Sequence, residues 1–473
     1  MKKRFLKGKA QLIAALALAL FAAGCGREQP APLLPEAAPE ITQDVEPGLP
    51  EPVPQTAEAE YPCEDPDPLL ETGTFTLKSA PADLHVFLDG ERINPVSADP
   101  AAGLRDFEID RAGILSFRAA GYRTIEHRSN ALPVRNGIVG IKLELEQGFL
   151  RLRGEYATGQ QPKSAFFSPD GQRVFLPLLG QHGIDVFRRA GDTLEFERRL
   201  RVPGSRASGF VEALCDARRR ELWVSNMEKN TVHIFDLDTL DYKTSLSTGG
   251  VFPKVIAQSP DGTITVVSNW VSRDVSVFDS EERELLHRIP VGGIPRGMAF
   301  SSDGALLYTA IFDEPLIAVV DMAQNKVIRR FRLYEGAGAA RHIIYRNGRL
   351  YVSDMLRGTV NILNASTGAL LRSRRIGPNI NTIVLSPDGR YVFASSRGRN
   401  NPAAYTLPGP DFGAVFMLRA YDLSLVERVW GRNQPTGLDI SPDGRLLVFT
   451  DFLDANLQLY YISRRGMPAN EQE

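Results

Sequence analysis

Short apolar runs recur through the second two-thirds of the chain, each bounded by turn residues. Examples are Val174–Leu176, Leu222–Asn226, Thr265–Asn269, Leu307–Ala310, Leu350–Asp354, Tyr391–Ala394 and Leu447–Thr450. Runs of this length between turn residues predict strands. The turn Ser-Pro-Asp-Gly stands before four of them, at 168–171, 259–262, 386–389 and 441–444, with a variant at Ser301–Gly304 and Asn347-Gly348 before another. Aspartate bonds its own backbone in such turns, and glycine accepts a positive φ. A third strand follows in most units, as in Thr231–Asp236 and Asp274–Asp279, and a fourth ends at glycine, as in Leu286–Gly292. The pattern makes seven units of about four strands, repeating about every 40–45 residues. One such unit cannot bury both faces of its sheet, whereas seven closed in a ring can. The last unit shows strands near Gly437–Ser441, Leu446–Thr450 and Leu457–Ile462, and then no fourth. An unassigned strand at 148–155 is expected to supply it and close the ring.

The repeated turn-plus-strand units resemble the YVTN-type seven-bladed β-propeller family, which includes YncE-like proteins. The resemblance covers roughly 148–463 and implies a propeller over 147–463, followed by a tail at 464–473. Residues 73–146 differ. Strands are predicted at Phe75, at His85–Leu88 before Asp89-Gly90, at Ile114–Arg118 and over Ile138–Leu145. Ser79–Ala82, Val86–Gly90 and Ala120–Tyr122 resemble the PEGA domain, a small β-sandwich of bacterial envelope proteins, although the segment Glu91–Ala101 departs from it. The expected fold class is therefore all-β, a seven-bladed propeller preceded by a small β-sandwich.

The first residues carry an address. Lys2, Lys3, Arg4, Lys7 and Lys9 precede the apolar run Leu12–Ala22, which is shorter than a membrane-spanning helix requires. Ala22–Cys25 resembles a bacterial lipobox. The resemblance implies a signal peptide at 1–24, lipidation of Cys25 and attachment to the membrane. Gly26 after the cysteine points to the outer membrane, facing the periplasm or the surface. Residues 25–72 read as a disordered tether rich in Pro and Glu, with twelve acids against Arg27 and a net charge of −11 over 26–72. The whole chain, at 473 residues and net −2, hides this, because residues 73–473 alone carry +4. A Cys63–Cys215 disulfide is open to an exported chain, but the plainer expectation is a buried Cys215 and an unpaired Cys63.

Within each unit the loop leading into the inner strand falls on the face opposite the Ser-Pro-Asp-Gly turns. On these loops Lys163, Lys254 and Arg296 hold the same position, Arg341 is offset by one, and Arg206 lies before the second unit. His342 and Asn381 join the same mouth, and Glu212 is placed to offset part of its charge. Converging cations are costly unless solvated or matched by an anion. They point to an anionic glycan, phosphate or peptide carboxylate. Arg397–Gly413 is an unusually long loop over that face, offering Arg399, Asn400, Asn401 and Tyr405, with Trp270 and Arg273 in the corresponding loop of the third unit. A water-filled mouth and a tolerated insertion are the plainer alternatives.

The six histidines lack metal-ligand spacing, and no Cys-x-x-Cys-His, Gly-x-Ser-x-Gly or P-loop is present. No cofactor, metal or catalytic residue is therefore expected. The leading expectation is a non-enzymatic envelope lipoprotein whose propeller binds or scaffolds a partner. The alternatives are a hydrolase resembling propeller lactonases and a YncE-like nucleic-acid-binding protein, the latter disfavoured as a partner class.

Overall fold

The computed structural model describes residues 72–78, 84–99, 104–119, 124–132, 134–135, 138–139 and 149–463. The expected signal peptide, Cys25, Cys63, the acidic segment and residues 464–473 lie outside them, as do 79–82 and 120–122.

Residues 149–463 form seven four-stranded antiparallel sheets, and these are the blades of the propeller. Blade three is typical. It runs Pro253–Gln258 on the inside, then Ile264–Asn269, Asp274–Asp279 and Glu284–Pro290 on the outside. Buried side chains gather into seven apolar clusters, one at each blade-to-blade interface. The stability of the ring is thus a sum of neighbour contacts rather than of a central core.

The turns show why Ser-Pro-Asp-Gly recurs. The Ser259 hydroxyl donates to Asp261 Oδ1 (2.6 Å) and accepts the Ile264 N–H (2.9 Å), and Gly262 closes the turn at φ +71°. The same bonds recur at Ser168, Ser301, Ser386 and Ser441.

Blade seven takes its outer strand from Leu150–Ala157, which pairs antiparallel with Asn456–Ile462. Leu150 is fully buried there, and Glu427 of blade six accepts the Phe149 and Leu150 N–H groups (2.6 and 3.1 Å).

The small domain is a two-sheet sandwich. One sheet contains Gly73–Lys78, Ser97–Asp99, Leu104–Ile109, Val134–Arg135 and Ile138–Val139; the other contains His85–Leu88, Glu91–Ile93, Ile114–Arg118 and Ile125–Arg128. Phe75, Val86, Phe107, Leu115 and Phe117 fill the space between them. The domain docks on blade six. The Arg118 guanidinium sits between Phe87 and Trp430, 4.2 and 4.3 Å from the ring centres. His85 meets Phe412 edge-on at 4.1 Å. Burial, with Arg92 next in weight, pushes the His85 imidazole down to about 3, so it docks uncharged.

Candidate functional site

The site is built by one strand position repeated around the axis. In six blades the inner strand opens on a residue paired with the end of the second strand, and in blade one an isolated bridge takes that place: Pro162↔Leu178, Phe210↔Asn226, Pro253↔Asn269, Pro295↔Ile311, Ala340↔Asp354, Ile380↔Ser396 and Pro435↔Asp451. The next residues are therefore equivalent: Lys163, Val211, Lys254, Arg296, Arg341, Asn381 and Thr436. Arg341 is in full register, not offset by one. The second blade contributes Val211, while Arg206 is exposed and outside the buried set.

Neighbouring blades fix these residues. Hydroxyls at the end of one blade's second strand donate to the carbonyl at this position in the next: Ser225 to Lys254 (2.6 Å), Ser268 to Arg296 (3.1 Å), Ser353 to Asn381 (2.8 Å) and Ser395 to Thr436 (3.1 Å). Gly297 stands where two inner strands approach closely, and a Cβ there would lie 2.8 Å from the Arg341 carbonyl oxygen.

A second ring lies over the first. The residue following each second strand donates its N–H to the residue preceding the inner strand, as in Trp270 to Phe252 (3.0 Å) and Phe452 to Gln434 (3.1 Å). This ring is Leu179, Met227, Trp270, Phe312, Met355, Arg397 and Phe452. Six are apolar and one is an arginine. Several acceptors sit in the left-handed region, including Phe252 at φ +68° and Gln434 at +64°. That conformation is strained for a bulky side chain and is held by the surrounding structure.

The cations lie among these rings. Lys254 Nζ is 4.5 Å from the Phe252 ring centre and 5.6 Å from Trp270, and it donates to Met227 Sδ (2.9 Å). Lys163 Nζ is 4.7 Å from Phe452. The Arg397 guanidinium lies between Tyr405 (5.5 Å) and Phe452 (5.6 Å) and donates to Gln434 Oε1, while Gln434 Nε2 donates to the Tyr405 carbonyl (2.5 Å). This latches the long loop over the mouth. Lys163, Lys254, Arg296, Arg341 and Arg397 are all buried, at 8% exposure or less.

Among the described residues Glu212 is the carboxylate set against Arg296. Glu212 Oε1 is 3.7 Å from Arg296 Nη2. Burial raises the Glu212 carboxyl, opposed by Arg296, Arg341, Lys163 and Lys254. Lys163 is held well below the usual ammonium range by burial and by Arg397, Arg341, Arg296 and Lys254. Lys254 and Arg341 are lowered by burial and by Arg296. His342 is pushed down to about 3 by burial and by Arg341, so it is neutral.

Polar atoms here lack partners. Arg296 Nε and Nη1, both amide atoms of Asn381 and His342 Nδ1 are buried without a hydrogen bond. Buried polar groups ordinarily have partners, and leaving them unmade is costly. The arrangement can accept a group carrying negative charge and several acceptor oxygens. Among the described residues no group of three or more His, Cys, Asp or Glu gathers in metal-binding geometry.

The loop residues divide. Tyr405 is at the mouth. Arg399 turns away, pairing with Asp411 (2.5 Å) and donating to the Gly90 carbonyl of the small domain (3.2 Å). Asn401 bonds Pro408 and Ala403 within the loop, and Asn400 is half-buried in it. Arg273 is directed to Asp313 (3.6 Å). Arg397, Phe252 and Phe452 are the residues sequence reading missed. The available signal was the place of Arg397 directly after a second strand, where Trp270 stands in blade three.

Residues 146–327 and 318–470 match the family described as lactonase, seven-bladed beta-propeller. The chain is 35% identical over 333 residues to Antigen Lp49 of Leptospira interrogans, covering 68% of this chain and 71% of that one. It is 28% identical over 165 residues to Protein NirF of Pseudomonas aeruginosa, spanning 35% of this chain and about a third (34%) of that relative. Among solved structures, Kuenenia stuttgartiensis hydrazine synthase superposes with a TM-score of 0.54 at 19% identity, over 64% of this chain and 95% of that chain, a likeness of fold.

Proposed function

The chain belongs to the seven-bladed lactonase propeller family, and from that premise we propose that it is a non-enzymatic binding module of the bacterial envelope whose channel mouth takes an anionic ligand. The observation that carries this is Arg296, 3% exposed, with Nε and Nη1 unpartnered and a single carboxylate 3.7 Å away. Burying charge costs several kcal/mol per ion unless it is paired. Five buried cations against Glu212 therefore make a site whose electrostatics favour an incoming anion. The aromatic and thioether ring above them favours a ligand with an apolar body behind its acidic groups. The lipobox resemblance and the PEGA-like stretch support an anchored envelope protein attached through Cys25. The Leptospira relative's name, an antigen, fits display at a surface.

The test is calorimetric titration of residues 26–473 with citrate, pyrophosphate and benzene polycarboxylates. Binding of one class should take up protons, because an anion raises the depressed lysines, so affinity should fall as pH rises. Arg296→Gln should weaken it at least about tenfold, the loss of a charge-assisted pair. Silence from all three classes, or equal binding by Arg296→Gln, would sink the proposal.

Glu212 supports a second reading. A carboxyl with a raised pKa beside an arginine can serve as a general base for lactone hydrolysis. Turnover of simple lactones that Glu212→Gln abolishes would replace the binding role by catalysis.

A further inference from the structure

We propose that the outer wall of blades four and five is the docking surface for the chain's own acidic segment, residues 26–71. The outer strand of blade four is Lys326–Arg332 and that of blade five is Leu370–Arg375. They hold seven bases (Lys326, Arg329, Arg330, Arg332, Arg372, Arg374 and Arg375) and no acid, and all seven are exposed. Of the seven, only Arg332 makes an ion pair among the described residues, with Glu314 at 3.9 Å, while Lys326 stands across the strand pair from Asp321. Arg329 and Arg330 donate to the Ser366 and Val291 carbonyls, which fixes the guanidinium groups without neutralising them. Ile328, Leu370 and Leu371 are exposed between the bases at 38–42%.

Other outer strands lack this character. Thr193–Leu200 carries Glu195 and Glu197 among its bases, with Arg188 on Glu195 and Arg173 on Glu197. Tyr242–Ser247 has one lysine. The wall is therefore a local feature of two neighbouring blades.

Three observations commit it to this occupant. The first is charge, because the segment carries twelve acids and one base. The second is place. The segment joins the small domain at Thr72, and that domain docks on Trp430 at the end of blade six's outer strand, beside blade five. The third is length. Forty-six residues can span at most about 150 Å, ample for two outer strands. Covalent attachment gives the pairing an effective concentration of order millimolar, so weak ion pairs suffice. Each outer strand also presents an edge bonded on one side only, and Leu69-Leu70 within the segment suit the exposed leucines.

The test uses residues 25–473 with Cys25→Ser. Cys63 then carries a benzophenone maleimide, since burial pushes the Cys215 thiol up to about 12 and leaves it unreactive. Photocrosslinks should concentrate on 326–332 and 370–375 at low salt. They should fall at least about tenfold in 0.5 M NaCl, where the Debye length is about 4 Å. They should fall similarly in Arg372→Glu/Arg374→Glu/Arg375→Glu, all surface changes. Crosslinks spread over the propeller, or a pattern indifferent to salt and to these changes, would overturn the proposal. So would sedimentation with phosphatidylglycerol vesicles that the triple change abolishes while crosslinking stays intact, since the wall would then serve lipid.

Discussion

Lys163 is a residue the free protein tolerates at a cost. Burial and four neighbouring cations depress its ammonium. In linkage terms the folded state binds fewer protons here than the unfolded state, so this group's contribution to stability rises with pH toward 10.5. Lys163→Met keeps the stem beside Phe452 and removes the charge. It should raise the stability of the unliganded protein by about 1 kcal/mol in denaturant titration, while lowering affinity for the anion that binds. A loss of stability would mean that the ammonium is already matched in the free state. Asp439 makes the opposite case on the blade-seven inner strand. Burial pushes it up to about 7 while it accepts the Phe167 N–H (2.7 Å). Stability from this group should fall between about pH 4 and 7, and Asp439→Asn should flatten that slope in a melting series. At this scale the sequence was half legible. Lys163, Lys254 and Arg296 share a Pro-Lys or Pro-Arg step that aligns by eye. Arg341 and Arg397 do not, because Arg341 follows Ala340 where the others follow proline and Arg397 stands directly after a second strand, so only strand pairing shows where they sit.

The blade was the most legible element, since Ser-Pro-Asp-Gly has a local cause in two side-chain bonds to Asp and to the next strand. The loop 397–413 was legible as an anomaly but not in its allocation. Its two arginines alternate in direction, Arg397 inward and Arg399 outward, and Gly398 at φ +73° makes the reversal, with a Cβ there only 2.9 Å from the Asp411 carbonyl. Gly398→Ala should unseat both arginines together and weaken anion binding without removing a charge. The strand Leu150–Ala157 closes the ring through Leu150, which is fully buried. Leu150→Ala should cost about 2–5 kcal/mol in urea unfolding. A comparable loss at Leu285 on the outer strand of blade three, which is 39% exposed, is not expected, because little of its surface is buried on folding.

For the whole molecule, the small domain and the propeller are joined by stacked cations and rings rather than by a large apolar seam. Trp430→Ala should release the domain, seen as an increased radius of gyration in solution scattering, with the propeller still folded though less stable, since Trp430 also packs on the cluster between blades five and six. A rigid particle after that change would place the attachment elsewhere. Charge was legible only after division of the chain, since net −2 conceals an acidic segment over 26–72 and a basic remainder over 73–473. The docking of the sandwich was not legible, because Phe87 and Arg118 read as ordinary strand residues until Trp430 is brought opposite them. Closure of the ring also takes time. Leu150–Ala157 is synthesised first, and its partner Asn456–Ile462 comes about 300 residues later, some 15–60 s of translation at ordinary rates. Throughout that interval an edge with Leu150 and Leu152 on one face has nothing to pair with. The nascent protein is an open fan with a bare margin until Asn456–Ile462 emerges to pair with it.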